Sequence, residues 1–316
     1  MKKIITTAVF CCAVILCFAQ QEQQYTQFMY NKLSFNPGYA GSYDAPCITA
    51  IYRNQWIGLD GAPKTITVSF DAPLLNKRVG VGLNLTSRKI GIQNRINIDG
   101  AYSYRVRLGR GTLGLGVQGS IRYISNDYSD TRLSGTQAIE TDGGIPVGEQ
   151  SKMVPNFGAG LYYHTPKFYL GVSVPRLLKN NIDFNDISGV LGKEVEHVYA
   201  MAGLLIDVSK TFKLQPQLLV KYADNSPLDA DLNLSAIFNE KYTFGVTYRA
   251  GSGSENAVES IDLLLSAYVT DNVMFGLSYD IGLTELKDYN SGSLEAILRY
   301  CFGKSEGEDI VNPRFF

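Results

Sequence analysis

Two cysteines are the residues of this chain whose positions suggest a definite covalent reaction. Cys47 begins the first of a series of predicted strands, and Cys301 ends the last one. When a sheet closes into a barrel, its first and last strands lie side by side and antiparallel. Both thiols would then reach the same rim and the same inner face. A disulfide between them would lock this seam, provided that the register brings the Cα atoms within roughly 7 Å.

The other residue types give little indication of catalysis or of a bound cofactor. His164 and His197 are the two histidines, and they lie too far apart in the sequence to indicate a metal site. Asp142-Gly143-Gly144 lacks the spaced carboxylates of a calcium loop and indicates a turn. GxSxG, HExxH, Walker-type and CxxC motifs are absent from the sequence. We therefore predict no enzymatic activity, no metal and no cofactor; an outer-membrane enzyme is an alternative without a candidate nucleophile or base.

Charged residues recur on one face of the predicted strands. In the register given by the apolar positions, the inward charges are Arg53, Asp71, Asp99, Arg105, Arg107, Arg122, Asp231, Arg249, Asp280, Glu295 and Arg299. They either pair with one another around a small lumen, line a channel, or form a docking surface for an inserted peptide. The net charge of −1 gives no indication of a nucleic-acid partner.

Strict alternation of side chains, from about residue 47 to residue 302, indicates the elements that carry these residues. In one segment of it, the apolar residues Val273, Phe275, Leu277, Tyr279 and Ile281 interleave with Met274, Gly276, Ser278, Asp280 and Gly282. A period of two places each set on its own face of a strand. An apolar outer face and a small or polar inner face are typical of a membrane barrel. A soluble sheet core is the alternative, but no helical layer is available to cover the apolar stripe.

Fourteen segments follow this pattern. They are 47–56, 64–71, 78–88, 94–108, 111–124, 155–164, 167–174, 195–208, 211–223, 229–239, 241–250, 258–269, 272–283 and 292–302. The fold class is therefore all-β, a transmembrane antiparallel β-barrel of about 14 strands. Short turns alternate with longer loops, and because such barrels have short periplasmic turns, we expect both termini in the periplasm.

Two features fit the pattern poorly. Pro216 lies inside the ninth segment, where it removes a ladder donor, so we expect a bulge or a shifted boundary there. Leu205, Leu219 and Leu264 fall on the inner face. These leucines either pack against a plug or indicate an error in the register.

The beginning of the chain is typical of a secretory signal. Lys2 and Lys3 precede an apolar stretch, Ile4–Phe18, and cleavage after Ala19 would follow. A lipoprotein cut before Cys17 is the alternative, although a small residue is expected at the preceding position. We therefore divide the chain into a signal peptide at 1–19, a periplasmic or plug segment at 20–45, an outer-membrane barrel at 46–303 and a periplasmic tail at 304–316.

Both flanking segments carry aromatic residues outside the strand pattern. The N-terminal ones are Tyr25, Phe28, Tyr30, Phe35 and Tyr39, and the C-terminal ones are Phe315 and Phe316. Exposed aromatic clusters are unfavourable in water, so we expect the N-terminal segment to fold into the lumen or under the barrel mouth and to bind a partner or plug the barrel. A flexible leader is the alternative. For the tail, disorder and a periplasmic partner contact both remain open.

Several motifs together resemble the PorP/SprF family of outer-membrane proteins of the type IX secretion system in Bacteroidota. They are Gln24-Tyr25-Thr26-Gln27-Phe28-Met29-Tyr30-Asn31, Asn36-Pro37-Gly38-Tyr39-Ala40-Gly41-Ser42, Tyr52-Arg53-Asn54-Gln55-Trp56, Gly61-Ala62-Pro63-Lys64-Thr65, Ser69-Phe70-Asp71-Ala72-Pro73-Leu74 and Leu298-Arg299-Tyr300-Cys301-Phe302. The resemblance covers about residues 22–303.

The resemblance implies a non-enzymatic barrel of the cell outer membrane that supports export or surface anchoring of cargo in secretion and gliding. It implies two kinds of protein partner, a secreted or surface-anchored cargo protein and periplasmic secretion components, alongside outer-membrane lipid and without nucleic acid. A diffusion or uptake channel is the alternative function. Because long loops often carry function, Ser125–Val154 and Pro175–Glu194 are the expected outer contacts.

Overall fold

The chain forms one antiparallel sheet in a computed structural model, which describes residues 22–43, 45–130, 148–182, 194–224, 226, 228–251 and 258–302. Its strands are β1 Cys47–Asn54, β2 Lys64–Leu74, β3 Val79–Ile90, β4 Gln93–Leu108, β5 Gly111–Asp127, β6 Glu149–His164, β7 Phe168–Val174, β8 His197–Leu204, β9 Ile206–Asp207, β10 Phe212–Ala223, β11 Asp229–Phe238, β12 Tyr242–Ala250, β13 Val258–Tyr268, β14 Val273–Gly282 and β15 Ser293–Cys301. Across these residues, no helix has the length and apolar character needed to span a membrane.

The sheet closes on itself. Each strand pairs with the next along the chain, and β15 pairs with β1 in the register Cys47↔Cys301. β8 and β9 both pair with β10 and are two parts of one strand, interrupted at Leu205. The result is a closed barrel of fourteen strands, as the sequence predicts, and closure leaves no unpaired sheet edge in the lipid.

The interruption at Leu205 has a local cause. Its neighbour in the ladder is the part of β10 that contains Pro216, which has no N–H to donate. β10 itself stays in register with β11 through Pro216↔Leu234, so the predicted bulge in that strand is wrong. The irregularity lies in the neighbouring strand instead, where the Leu205 amide donates to the Lys167 carbonyl at 2.7 Å.

The two faces of the wall differ as the alternation predicts. Outward residues such as Val117 and Val246 are about half exposed, whereas the adjacent Gln118 and Thr247 point inward and are buried. The inward register also holds for Leu205, Leu219 and Leu264, which are at most 5% exposed. The apolar outer surface is therefore a belt for lipid contact, and the lumen is predominantly polar.

The connections distinguish the two ends of the barrel. Six short turns, at 75–78, 109–110, 165–167, 208–211, 239–241 and 269–272, lie at what we call the short-turn end, where β1 also begins and β15 finishes. The opposite end, which we call the long-loop end, carries the other seven connections between consecutive strands, of which 55–63, 91–92 and 283–292 lie wholly within the described residues. Some strands are longer than the sequence predicts. For example, β6 begins at Glu149, six residues before its predicted start.

A disulfide joins the first and last strands. The Sγ atoms of Cys47 and Cys301 are bonded across a sequence separation of 254 residues, and their Cα atoms are 4.1 Å apart. Cys47 is fully buried and Cys301 is 8% exposed, so the bridge lies on the inner side of the seam at the short-turn end. It links the two ends of the barrel sequence at the point where the sheet closes.

We predict that a digest without reductant contains one peptide pair linked through Cys47 and Cys301, detectable by mass spectrometry. Cys47→Ser should lower the temperature at which the detergent-folded barrel unfolds, because disulfides typically stabilise by ~2–4 kcal/mol through constraint of the unfolded chain. Cys301→Ser should give the same shift, and the double variant no further loss. Equal unfolding temperatures in all four proteins would contradict this role of the bridge.

Candidate functional site

Residues 22–43, which we call the plug segment, lie inside the barrel. They form three short 3-10 turns, Phe28–Tyr30, Lys32–Ser34 and Pro37–Tyr39, instead of strands. In the last of these, Asn36 caps the turn by accepting a hydrogen bond from the Gly38 amide at 2.8 Å. A polar and aromatic sequence without alternation has no face to pair with a sheet, so it folds as local turns that satisfy much of their own backbone.

The aromatic residues of the plug segment meet in the lumen. Tyr25, Phe28, Phe35 and Tyr39 are at most 3% exposed, and Tyr30 is partly buried with its hydroxyl 2.7 Å from the Ser266 hydroxyl. They form edge-to-face pairs with one another and with the wall, for example Tyr25 with Phe35 at 5.9 Å between ring centroids. The inward leucines of the wall complete this apolar cluster. Phe315 and Phe316, the other predicted contact residues, lie outside the described part of the chain.

A buried ion network holds the start of the plug segment. Arg53 contacts Asp280 at 2.5 Å and Glu295 at 3.1 Å between side-chain atoms. The amides of Thr26 and Gln27 donate to the Glu295 carboxylate at 3.1 and 2.8 Å, and the Thr26 hydroxyl donates to Asp280 at 2.6 Å. All five residues are nearly inaccessible to water. Charge-assisted hydrogen bonds therefore fix the segment to three wall residues from β1, β14 and β15.

The same network continues along the wall. Arg249 lies 2.8 Å from Asp231, 3.3 Å from Asp262 and 3.6 Å from Asp280, and Lys221 lies 2.6 Å from Asp231. Most of the inward charges predicted from the sequence are thus paired along the inner face of the wall. Arg107 is different, because it lies at the exposed short-turn end of β4.

A second group of ions holds Glu22. Its carboxylate contacts Arg122 at 2.5 Å and Arg176 at 3.1 Å, and Arg122 also contacts Glu194 at 2.8 Å. Burial by itself would raise the pKa of Glu22, but Arg122 and Arg176 hold that pKa well below its usual range. The plug segment is therefore tied to the wall by charge at two separate groups of residues.

Glycines in the wall allow the backbone of the plug segment to approach it. A Cβ added at Gly116 on β5 would overlap the backbone of Pro37 and Gly38, and one added at Gly80 on β3 would overlap that of Ala40. Only glycine permits this close contact. The sequence shows these glycines at alternate strand positions, which correctly indicates the inner face but not what fills the space.

Lys32 is buried without an acidic partner among the described residues. It is 2% exposed, and its Nζ lies 4.4 Å from the ring centroid of Tyr169 and 5.6 Å from that of Tyr39. Burial, with a smaller contribution from the positive charge of Arg299, lowers the pKa of Lys32 to about 7. The two aromatic faces offset part of the cost of the charged form.

The histidines have ordinary structural surroundings. The His164 ring stacks on that of Tyr162 at 5.8 Å, and His197 Nδ1 lies 2.9 Å from the Val195 carbonyl oxygen. In the ranges that the structure covers, no three histidine, cysteine, aspartate or glutamate side chains converge as they would around a metal ion. The carboxylates of the lumen instead face arginines, lysine and the plug segment.

Sequence reasoning identified the aromatic residues of this site but missed most of its polar ones. Thr26, Gln27 and Asn36 bind the wall through backbone or amide groups, and Asn36 donates to the Leu161 carbonyl at 2.9 Å. One sequence feature could have identified them: they lie among the aromatic residues of a segment without the strand-like alternation of apolar and polar residues. Their partners lie more than one hundred residues away, which local patterns do not reveal.

Comparison with known proteins gives a family. The family described as type IX secretion system membrane protein PorP/SprF matches residues 17–300. Three solved structures are a Pseudomonas aeruginosa FadL homologue (11% identity, 86% of this chain and 94% of that one, TM-score 0.47), the CymD monoaromatic hydrocarbon channel (12%, 89% and 93%, 0.48) and the KdgM porin (9%, 81% and 99%, 0.39). No curated protein matches significantly.

We predict that Gly116→Val loosens the plug segment, because the added side chain occupies the space of the Gly38 backbone. Hydrogen exchange of residues 25–43 should become faster, by tenfold or more for a loss of about 1.4 kcal/mol in docking. Gly119→Val is the matched control on the same strand, since its Cβ would have no heavy atom within 4 Å. Equal exchange in both variants, with both barrels folded, would contradict the close contact.

Docking of the plug segment should strengthen as the pH rises from 7 to about 9.5. The docked pKa of Lys32, about 7, lies below the ~10.4 of a solvated lysine. Between these values the released segment binds a proton that the docked one does not, so lower pH favours release. Below pH 10, Tyr25 and Tyr39 contribute little, because burial raises the pKa of each to about 12.

Hydrogen exchange of residues 25–43, corrected for intrinsic rates, measures this dependence. Lys32→Met should remove most of it, whereas Lys210→Met, a change in an exposed turn, should leave it as in the wild type. A pH dependence that persists in Lys32→Met would assign it to other groups.

Proposed function

Because the chain belongs to the PorP/SprF family of type IX secretion system membrane proteins, we propose that it supports export or surface anchoring of cargo proteins through protein–protein contacts. It is an outer-membrane barrel, closed by strand pairing and covered by an apolar belt. In this proposal it is non-enzymatic, and its partners are a secreted or surface-anchored protein, periplasmic secretion components, or both.

The filled lumen is the observation that carries the proposal. The plug segment crosses the barrel interior from the ion group at Glu22 to the glycine contact at Gly80, and most of its residues are buried. A diffusion channel needs a continuous aqueous path, whereas a docking protein does not. The charges and glycines of the wall contact the plug segment, which fills the lumen. This supports a function carried out by the two ends of the barrel and not by passage through it.

We assign the short-turn end to the periplasm and the long-loop end to the cell surface, following the usual arrangement of outer-membrane barrels. The predicted outer loops, Ser125–Val154 and Pro175–Glu194, lie partly outside the described residues; in this proposal they face the cargo. Periplasmic components would meet the short-turn end and the C-terminal tail. An uptake channel remains the alternative, and the opening of the lumen decides between the two functions.

The test combines partner capture with conductance. We expect affinity purification of the tagged protein from its native outer membrane in mild detergent to recover one surface protein or periplasmic secretion components, identified by mass spectrometry. In planar bilayers the purified wild type should remain closed, and a variant without residues 25–43 should conduct steadily.

An unrelated tagged outer-membrane barrel serves as the control for capture. Recovery of the barrel alone, together with steady conductance of the wild type, would overturn the proposal in favour of a channel.

A further inference from the structure

A cavity of about 590 Å³ opens at the long-loop end, beside the plug segment. The long-loop ends of β1, β12, β13, β14 and β15 surround it, and the 3-10 turn Glu285–Tyr289 lies along one side. Its volume falls in the ordinary range for ligand pockets. The plug segment occupies the lumen below, so the cavity is a recess in the described part of the protein.

The rim of the cavity is ordered by backbone contacts. The Ile57 amide donates to the Gly292 carbonyl at 2.8 Å, and the Ser291 amide donates to the Ile57 carbonyl at 2.7 Å. The Trp56 amide donates to the Ser293 hydroxyl at 3.1 Å. These bonds fix the backbone at Trp56, a lining residue and the chain's single tryptophan. A preordered rim loses little entropy on binding a ligand.

The charges around the cavity leave an excess of carboxylates. The ion network at and beneath its floor has three basic groups, Arg53, Arg249 and Lys221, and four acidic ones, Asp231, Asp262, Asp280 and Glu295. A fifth carboxylate, Glu259, lines the cavity and forms no ion pair with any residue that the structure describes. The lining turn adds Glu285 and Lys287, which offset each other. The excess favours a cationic group next to Glu259 and Trp56.

Two buried polar groups in the lining have unused hydrogen-bonding capacity. Arg53 is 3% exposed, and its Nε–H has no acceptor within the described ranges, although its other nitrogens are paired. The Ser260 hydroxyl, 6% exposed, has no partner there apart from the neighbouring Asp262 carboxylate. An unmet donor is suited to a carbonyl oxygen, which a peptide supplies and a simple amine does not.

We propose that this cavity binds a lysine or arginine side chain of a peptide segment, with the cation between Glu259 and Trp56 and a backbone carbonyl at Arg53. The assignment of the peptide to a cargo protein rests on the proposed function. The preference for a basic side chain and a carbonyl oxygen is independent of that function, because it follows from the residues of the cavity alone. The partner would therefore present a basic residue on an extended or looped segment at the long-loop end.

Trp56 provides the readout, because its fluorescence is the only tryptophan signal of the purified barrel. Blocked tripeptides with a central arginine, lysine, glutamine or glutamate and flanking glycines serve as probes. The arginine and lysine peptides should change the emission saturably, with binding that weakens as salt rises. The glutamine and glutamate peptides should bind at least tenfold more weakly.

Variants then test the site itself. Glu259→Gln should weaken binding of the arginine peptide by about tenfold, the usual weight of one charge-assisted contact. Glu149→Gln removes an exposed carboxylate at the same end, away from the lining, and should bind the peptide as the wild type does. Equal binding of the glutamine and arginine peptides, or full binding by folded Glu259→Gln, would overturn the proposal.

Spermidine distinguishes a peptide from a free small cation. If it binds as tightly as the arginine peptide and with the same dependence on Glu259, the cavity is a polyamine site and the peptide assignment is wrong. Failure of all peptides alongside successful capture of a cargo protein would reject this site and leave the proposed function intact. Peptide binding without any captured partner would support this site and count against the proposed function.

Discussion

The structure depends on the burial of charge inside a lumen that has little room for water. Arg53 bridges Asp280 and Glu295, and none of the three is appreciably exposed. Removing an ion from water costs several kcal/mol unless paired charges and hydrogen bonds replace the lost solvent. Glu295 obtains two of those bonds from the amides of the plug segment. The wall therefore needs the segment as much as the segment needs the wall, and an empty lumen would leave a carboxylate without these donors.

Shape imposes the second constraint. A fourteen-stranded barrel has an interior wider than its own side chains fill, so it either holds water or encloses another element. Two kinds of wall residue contact the plug segment. Glycines on β3 and β5 admit its backbone, while Leu205, Leu219 and Leu264 pack against its aromatic rings. Polar pairing on one part of the wall and close apolar packing on another together give the segment a single position.

In a barrel filled in this way, the groups available for binding another molecule lie at its ends. Ion pairs line the lumen next to the plug segment. Among the described residues, the recess at the long-loop end keeps a carboxylate without an ion pair, a tryptophan with a fixed backbone and an arginine N–H without an acceptor. This distribution suits recognition of another protein better than passage of a solute. It also agrees with the family to which the chain belongs, whose description is that of a secretion-system membrane protein.

The sequence by itself determined the wall of this barrel: fourteen strands, the inward face of each, and the juxtaposition of Cys47 with Cys301. Those features follow from a period of two and from closure of the sheet, which are properties of neighbouring residues and of topology. It misplaced the irregularity near Pro216, because the missing donor broke the adjoining strand and not its own. Only the tertiary structure decided that Glu295 receives the Thr26 amide and that Glu259 is left without a basic partner among the described residues. Such pairings join segments more than two hundred residues apart, and they depend on how the strands stagger around the lumen, which no local pattern encodes.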